Sequence, residues 1–376
     1  MVDTPLAFAD TSERIFNSSP VVAPRNLELG VEQPREGDHS QFPDVHVHHL
    51  RDVQVVHNSR FNSVIMGNVL VLPARNEVGP WSIYKGKWPR RVGLVNGQSE
   101  DLIAMKAVQP TRHCEDALYV GTRAPYNWYH WIANVLPALD VANQGDLPAR
   151  IPLLLPEEVQ RVSQMLEALA IFLAGREVVW LGVDELVSVS NLYWADSPVD
   201  DAPFAVAAAE RRPLRLHPVA MEQFRARVID SVGRHLSAGS RPSRIFLARR
   251  PHSARPYNSD EVESWALDAG FEPVYLEGLS FAEQVALFRE ATHVVGPTGA
   301  AFSNILFAGP SLRALRLHGG AHDYENYFAN LAAVSGAQIF DLRSAPSSGE
   351  GYVVDEKIFR AAVRRILDVP PNAACG

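Results

Sequence analysis

A run of small residues follows a short apolar strand and opens a helix: Gly296-Pro297-Thr298-Gly299-Ala300-Ala301. Small side chains let backbone N–H groups approach a ligand closely, and the N-terminus of a helix carries about half a positive charge. This geometry is typical of phosphate and diphosphate sites. The run is neither Gly-x-Gly-x-x-Gly nor a P-loop, because no Gly-Lys-Ser/Thr follows. Spacing alone favours a tight strand-to-helix turn that binds no ligand.

Four arginines cluster near an earlier predicted strand, residues 244–248: Arg244, Arg249, Arg250 and Arg255. They shift the interpretation of the turn from one without a ligand towards a phosphate site. Ligands of parallel sheets bind beyond the carboxyl ends of the strands, where Arg249, Arg250 and the turn at Thr298 would meet. Guanidinium groups suit phosphate oxygens because they make bidentate contacts. The alternative is a solvated loop with surface arginines.

A third candidate is the aromatic segment Asn127-Trp128-Tyr129-His130-Trp131 at a strand-to-helix junction. Aromatic faces suit sugar rings, and the amide and imidazole offer hydrogen bonds to hydroxyl groups. His130 is a candidate general base near neutral pH. The alternative interpretation makes Trp128 and Trp131 core residues of the helix and His130 a hydrogen-bonded helper, and for the two tryptophans we favour it.

Three histidines stand close together in Asp44-Val45-His46-Val47-His48-His49. His46 and His48 alternate, so they share one face of a strand. Apart from Asp44, no nearby carboxylate or cysteine completes a metal-binding set. We therefore predict a solvated edge strand here and no metal site. Cys114 and Cys375 are too few for a zinc cage or a disulfide framework.

The elements that would position these residues alternate between strand and helix. Apolar segments at 117–120, 151–155, 177–181, 244–248, 273–276, 293–296 and 314–317 read as strands, and helical patterns lie between them. This alternation predicts the α/β class with layered sheets. A turn-rich stretch around residues 195–203 interrupts the rhythm and predicts a domain boundary near residue 205.

We expect four parts along the chain. Residues 1–43 lack periodicity and predict a poorly ordered arm or a cover. Residues 44–205 form an N-terminal α/β domain, and residues 206–345 form a C-terminal α/β domain. Residues 346–376 form a tail whose amphipathic helix packs back on either domain.

Composition limits the classes of function. The 376 residues are 47% hydrophobic and 21% charged, with a net charge of −8, which is typical of a globular protein of about two domains. The acidic balance argues against a nucleic-acid partner. We expect no signal peptide and no transmembrane span, and hence a cytoplasmic protein. Arg211, Arg212 and Arg215 would allow peripheral contact at the inner face of a membrane.

The ordered combination of these motifs resembles glycosyltransferase family 61, which includes bacterial capsular-polysaccharide biosynthesis proteins. The resemblance runs from about Asp116 to Gly336 and includes the segment around His130 and the arginine-rich segment. It continues through Gly270-Phe271-Glu272 and Glu283-Gln284 to the block that ends at Ser303-Asn304. Many family members have histidine where Thr298 stands, and an acid is common where Asn134 stands.

This resemblance implies inverting transfer from a nucleotide sugar on a GT-B architecture, with two Rossmann-like domains facing a cleft. The chain has no Asp-x-Asp motif to hold a metal on the diphosphate. We therefore expect no metal and no cofactor, with the nucleotide sugar as co-substrate and a glycan or lipid-linked glycan as acceptor.

The same resemblance implies roles for individual residues. The candidate donor-binding residues are Arg249, Arg250, Arg255, Asn258, Thr298, Gly299, Ala300 and Asn304. The candidate acceptor-binding residues are Asn127, Trp128 and Tyr129. His130 is the candidate base, with Asp116 or Glu115 as alternatives, and Glu277 would serve as a base or contact ribose. Two other functions stay open: a non-catalytic nucleotide- or sugar-binding protein, and a two-domain nucleotide-sugar epimerase.

Overall fold

The structure is a computed structural model. It describes residues 10–20, 26–28, 41–58, 61–66, 69–71, 94–99, 102–105, 109–121, 124–148, 150–183, 185–200, 215–233, 241–249, 256–319, 327–346 and 351–368. These residues belong to two compact units. The first unit draws on Met1–Val21 and Ser40–Phe224, and the second draws on Val22–His39 and Arg225–Gly376.

The strands are β1 (Thr11–Phe16), β2 (Ser19–Pro20), β3 (Asn26–Glu28), β4 (Gln41–Phe42), β5 (Val45–Asn58), β6 (Phe61–Met66), β7 (Val69–Val71), β8 (Leu94–Ser99), β9 (Leu102–Met105), β10 (Arg112–Tyr119), β11 (Leu153–Pro156), β12 (Val178–Leu181), β13 (Leu186–Ala195), β14 (Val199–Asp200), β15 (Arg215–Leu216), β16 (Arg244–Leu247), β17 (Glu272–Val274), β18 (His293–Pro297), β19 (Arg313–His318), β20 (Gln338–Arg343), β21 (Ala345–Pro346) and β22 (Tyr352–Val353).

The α-helices are α1 (Trp128–His130), α2 (Leu136–Ala142), α3 (Ser163–Ala170), α4 (Pro218–Gly233), α5 (Ser259–Asp268), α6 (Phe281–Glu290), α7 (Tyr327–Ser335) and α8 (Glu356–Asp368). A π-helical turn, Trp131–Val135, joins α1 to α2. Short 3₁₀-helices cover Glu157–Arg161, Leu276–Gly278 and Ala300–Phe307.

The main sheet of the first unit is mixed. Its strand order is β12-β11-β10-β13-β5-β6-β7, and β1 pairs with β5. Strands β10 to β13 run parallel, whereas β5 is antiparallel to β13. Counted along the chain, the parallel strands stand in the order 3-2-1-4. In doubly wound folds this order changes direction between its first and fourth strands, and ligands bind outside the carboxyl ends there. In this unit that point lies between β10 and β13.

Strand β5 lies inside this sheet, which corrects the prediction of a solvated edge strand. It pairs with β13 on one side and with β6 and β1 on the other. His48 is buried, and so is Leu50, which lies on the same face of the strand. The error arose because β13, the partner that buries this strand, comes more than 120 residues later in the sequence.

Residues expected to form an arm also contribute to this sheet. Within the segment 1–43, strand β1 pairs with β5 in antiparallel register, with Ser12 opposite His48 and Arg14 opposite His46. This pairing joins positions about 35 apart in the chain, so the local sequence pattern of β5 does not reveal it.

The helical stretch from α1 to α2 was predicted, and Pro137 explains its irregular middle. Proline has no N–H to donate and its ring clashes with the carbonyl of residue i−4. The backbone N–H of Leu136 therefore bonds to Trp131 O, one residue wider than in an α-helix. Trp131 is fully buried, as the core interpretation predicted, whereas Trp128 is half-buried.

The second unit contains a parallel sheet in the order β17-β16-β18-β19-β20-β3. Leaving out β3, the strands stand in the order 2-1-3-4-5 along the chain, which is the flavodoxin-like order. Its direction reverses between β16 and β18. Buried apolar residues of β16, β18 and β19 form the core with Val262, Ala266 and Phe359. Both main sheets therefore confirm the predicted α/β class.

The predicted part boundaries can be compared only where the chain is described. The expected break near residue 205 falls outside the described residues, and the division between the two units lies within α4, between Phe224 and Arg225. Helix α8, expected to pack back, contacts α5, β19 and β20 in the second unit.

Candidate functional site

In the second unit, Arg249 joins the ends of the two strands between which the strand order reverses. It follows β16, and its Nη2 donates hydrogen bonds to the carbonyl oxygens of Pro297 and Thr298 at the end of β18. Burial raises the pKa of Tyr257, and the positive charge of Arg249 partly opposes that rise. The two hydrogen bonds to Pro297 and Thr298 hold Arg249 at the carboxyl edge of the sheet, as predicted.

Two glycines make room at this edge. A side chain on Gly299 would overlap with the Arg249 guanidinium. A Cβ on Gly296 would lie 2.7 Å from Leu247 Cβ and 3.1 Å from Leu247 O in the neighbouring strand. Gly296 thus permits close strand packing, and Gly299 leaves space for the arginine.

The turn itself is attached to the next strand. Thr298 N donates to Leu317 O at 2.7 Å, and Tyr352 OH donates to the same oxygen at 3.2 Å. Phe302 N makes the first bond of the 3₁₀-helix to Gly299 O, so the amides of Ala300 and Ala301 precede it. Amides in that position are orphan donors of a helix N-terminus and suit an anion.

Asn304 supports the site from within the core. It is fully buried, and its Nδ2 donates to Gln284 Oε1 at 3.0 Å. Gln284 Nε2 in turn donates to the carbonyl oxygens of Leu276, at 2.9 Å, and Leu279. These buried amides connect the 3₁₀-helix after β18 with the turn that carries Glu277.

Glu277 is exposed on that turn, beyond the carboxyl end of β17. The strand ends at Val274, earlier than predicted, so Glu277 lies in a 3₁₀-turn and not on the strand. Neighbouring Tyr275 has a raised pKa, first through desolvation and then through acidic groups that include Glu277.

The side chain of Asn258 joins two segments of the second unit. Its Oδ1 accepts from Val354 N at 2.9 Å, and its Nδ2 donates to Val354 O at 3.1 Å and to Glu261. These bonds attach the segment before α8 to the start of α5. Arg250 and Arg255 lie outside the described residues.

In the first unit, the aromatic segment begins α1. Asn127 is exposed, and its side chain accepts a hydrogen bond from Tyr129 N at 2.9 Å, so it caps the helix. Tyr129 is buried against the His130 ring, with centroids 5.2 Å apart. Of the three candidate acceptor residues, Asn127 and Trp128 reach the surface.

Two successive polar contacts link His130 to the end of β13, at the point where the strand order of the first unit changes direction. Its Nδ1 lies 3.0 Å from Asn134 Oδ1, and Asn134 Nδ2 lies 3.4 Å from Ser197 Oγ. With the amide oxygen facing Nδ1, the proton is assigned to Nδ1 and the basic nitrogen of neutral His130 is Nε2. Ser197 follows β13, and His130 follows β10.

The alternative bases lie elsewhere on β10. Asp116 stands opposite Asn191 inside the strand and not at its carboxyl end. Desolvation raises the pKa of Tyr193 most, and the nearby Asp116 charge adds to that rise. Glu115 is exposed beside Ser190 and His113. The contacts described for these two carboxylates do not include His130.

The sequence pattern did not reveal one cluster of polar residues that the structure brings together. Asp196, directly after β13, completes a cluster with His46 and His48 whose ligand atoms lie within 4.8 Å of one another. The residue type and its place after an alternating apolar strand were visible, but the pairing of β13 with β5 was not.

One comparison with known proteins matches the region that contains the candidate residues from His130 to Asn304. The sequence profile of Glycosyltransferase 61 matches residues 128–315, half of the chain. The protein is therefore a glycosyltransferase. It belongs to glycosyltransferase family 61. No curated protein matches the chain in a search of full sequences.

The matched region begins at the helix of His130 and includes Arg249, the 296–301 turn and Asn304. Among the residues that the structure describes, no helix is long and apolar enough to cross a membrane.

Proposed function

We propose that the protein transfers a sugar from a nucleotide-sugar donor to a glycan or lipid-linked glycan, with inversion at the anomeric carbon and without a metal on the diphosphate. The observation that carries this proposal is Arg249, which spans the ends of β16 and β18 over Gly299. A fixed guanidinium and a small-residue helix N-terminus can together meet the charge of a leaving diphosphate.

On the donor side, the diphosphate lies at the turn that follows β18. The Arg249 guanidinium can meet phosphate oxygens in bidentate contacts, and the amides of Gly299 and Ala300 add donors. Arg250, Arg255 and Thr298 contribute further contacts, and Glu277 reaches the ribose from the neighbouring turn. Asn304 supports the turn of Glu277 from within the core through Gln284, whereas the bonds of Asn258 join α5 to the segment before α8.

On the acceptor side, Asn127 and Trp128 form the sugar platform, and Tyr129, which is buried, packs against His130. An acceptor hydroxyl approaches His130, whose Nε2 removes the proton as the oxygen attacks the anomeric carbon from the face opposite the diphosphate. Inversion follows from this single displacement. Asp116 and Glu115 are the second-choice bases. This scheme needs two Rossmann-like domains, residues 44–205 and 206–345, that face a cleft in the GT-B manner.

Two further proposals concern the setting. Synthesis of a surface polysaccharide, such as a bacterial capsule, would place the acceptor at the inner face of the membrane and the protein in the cytoplasm. Arg215 on β15 is half-buried, and Arg211 and Arg212 lie outside the described residues. Co-sedimentation with anionic lipid vesicles, compared with the Arg211→Gln/Arg212→Gln variant, tests the peripheral contact.

Mass spectrometry of a reaction mixture tests the function itself. Purified protein is incubated with UDP-, GDP- and CMP-sugars and a set of glycan acceptors, in buffer that contains a chelator of Mg²⁺ and Mn²⁺. We expect one donor to be consumed, with an acceptor gaining the mass of one sugar. Isomeric nucleotide sugars have equal mass, so the mixture is separated by chromatography before detection. A new peak with the mass of the donor would instead identify an epimerase, and binding in calorimetry without consumption would identify a non-catalytic protein.

A further inference from the structure

Two histidines and an aspartate meet at one edge of the main sheet of the first unit. His48 Nε2 lies 3.2 Å from Asp196 Oδ1, and His46 Nδ1 lies 3.7 Å from Asp196 Oδ2. The centroids of the two imidazole rings are 5.6 Å apart, and the angle between the ring planes is 30°. The side chains of His46, His48 and Asp196 are 12%, 2% and 7% exposed.

From this geometry we infer that the three residues bind a divalent transition-metal ion, with Zn²⁺ the ion that the ligand set fits best. Zn²⁺ takes imidazole nitrogen at 2.0–2.1 Å and carboxylate oxygen at 2.0–2.2 Å, usually in a tetrahedron. Two such ligands are about 3.3 Å apart, between the two observed separations. Three protein ligands leave a fourth position for water or another ligand.

The surroundings hold the ligands in place as they do in metal sites. Ser12 Oγ lies 2.8 Å from His48 Nδ1, so this ring nitrogen can carry the proton while Nε2 binds the ion. Asp196 Oδ2 accepts a hydrogen bond from His46 N at 2.9 Å. The ligands thus connect the first residues of β5 to the end of β13, and Ser12 connects them to β1.

The charges around the cluster also fit a cation. Arg14, opposite His46 on β1, donates to Asp44 Oδ2 at 2.9 Å, which offsets its positive charge. Neutral imidazoles with one carboxylate carry a charge of −1, and a dication converts this to +1. The alternative is a buried His48–Asp196 hydrogen bond that binds no ion.

This metal site is distinct from the site of the proposed sugar transfer, which uses no metal on the diphosphate. All three ligands belong to the first unit, whereas the proposed diphosphate site belongs to the second. We expected no metal on the diphosphate, because the chain lacks Asp-x-Asp, and no metal site at His46 and His48. The inference revises the second of these expectations and leaves the first unchanged.

Calorimetric titration of Zn²⁺ into the full-length, chelator-treated and tag-free protein tests the inference. A background with Cys114→Ser and Cys375→Ser removes both thiols as competing ligands. We expect one ion per chain with a dissociation constant in the low micromolar range or below. Mg²⁺, which prefers oxygen ligands, should not bind there. Co²⁺ at the site should show the visible absorption of a four-coordinate ion.

The variants are matched within the same strands. His48→Ala and Asp196→Asn should each weaken Zn²⁺ binding about 100-fold or more, whereas His49→Ala should leave it unchanged. His49 lies on the other face of β5, against Asn191 and Tyr193. If His48→Ala does not fold, the near-isosteric Asp196→Asn decides.

The melting temperature gives a second readout that does not depend on transferase activity. A hundredfold excess of Zn²⁺ over its dissociation constant should raise it by roughly 5 °C in the parent protein and not in Asp196→Asn. Absence of stoichiometric binding, or equal binding by the parent, His48→Ala and Asp196→Asn, would overturn the metal site. Neither result depends on whether a donor is consumed.

Discussion

Arg249 has two tasks in the proposed site. Its hydrogen bonds to Pro297 O and Thr298 O hold the turn after β18, and its charge would meet the diphosphate. The first task is a contact in the structure, and the second is the proposal. Substitutions at Arg249 affect both tasks, so a control arginine on the same strand is needed.

Arg249→Met should weaken the binding of the nucleoside diphosphate at least about tenfold, because a charge-assisted hydrogen bond contributes roughly 1.5–3 kcal/mol. Isothermal titration with UDP and GDP measures this. Arg244→Met is the control, since Arg244 is exposed at the opposite end of β16. Equal losses in both variants would show that the effect is one of overall charge.

Asn134→Asp tests the orientation of His130. A carboxylate opposite Nδ1 favours the charged imidazolium, so a higher pH is needed to keep His130 neutral as a base. The acidic limb of the pH–rate profile for transfer should therefore move to higher pH. A profile that does not move, in a variant that folds and transfers sugar, would remove His130 from the role of base.

At the residue scale, the sequence predicted those positions whose neighbours lie close in the chain. Asn127 at a strand-to-helix junction and Trp131 as a core residue are of this kind. The role of Asn258 depends on Val354, 96 residues away, and that of His48 depends on Asp196, 148 residues away. Such contacts arise from strand pairing and packing, which a local pattern does not contain.

The 296–301 segment needs two glycines for different reasons, and this difference can be tested at the scale of the element. Gly296→Ala places a methyl group against the backbone of Leu247, so we expect a loss of stability of about 1–3 kcal/mol. Gly299→Ala meets the end of a flexible arginine, so we expect little loss of stability.

The same pair separates binding from folding. Gly299→Ala should displace Arg249 and weaken nucleoside-diphosphate binding about tenfold, whereas folded Gly296→Ala should bind nearly as the parent does. Denaturant titration and calorimetry measure the two quantities. The account would be contradicted if Gly299→Ala bound the diphosphate as tightly as the parent.

Element prediction succeeded where amphipathic periodicity or a cap is strong. The predicted strand 293–296 is present, and a capping box at Ser280–Glu283 opens the helix before it, α6. Strands β13 and β20 were missed, although Leu186–Ala195 alternates between apolar and polar residues over most of its length. The π-helical turn was not predicted, but Pro137 provides its signal.

At the scale of the molecule, both units place their candidate residues at the carboxyl ends of strands where the strand order changes direction. Ser197 and His130 lie there in the first unit, and Arg249 and Thr298 in the second. Alternation of strand and helix predicted the α/β class. The strand orders depend on which strands pair over long separations, so the sequence alone could not provide them.

A buried ion pair tests whether the two units respond separately. Arg316 on β19 pairs with Asp341 on β20 through two hydrogen bonds of 2.6 and 2.7 Å, and both side chains are buried. Asp341→Asn removes the negative charge from this buried pair, so it should cost about 3–5 kcal/mol of stability.

Hydrogen exchange should show this loss in β18 to β20, with the protection of β10 and β13 retained. The control is Asp268→Asn, which breaks the partly exposed pair with Arg360 and should cost far less stability, because exposed ion pairs contribute little. Equal loss of protection in both units would show that they unfold together.

The central claim is that the diphosphate of the donor binds at the turn after β18. A crystal structure of the protein with the nucleoside diphosphate that binds in calorimetry tests it most directly. We predict phosphate oxygens within hydrogen-bonding distance of the Arg249 guanidinium and of the Gly299 and Ala300 amides. A diphosphate bound elsewhere, without contact to the Arg249 guanidinium, would contradict the account.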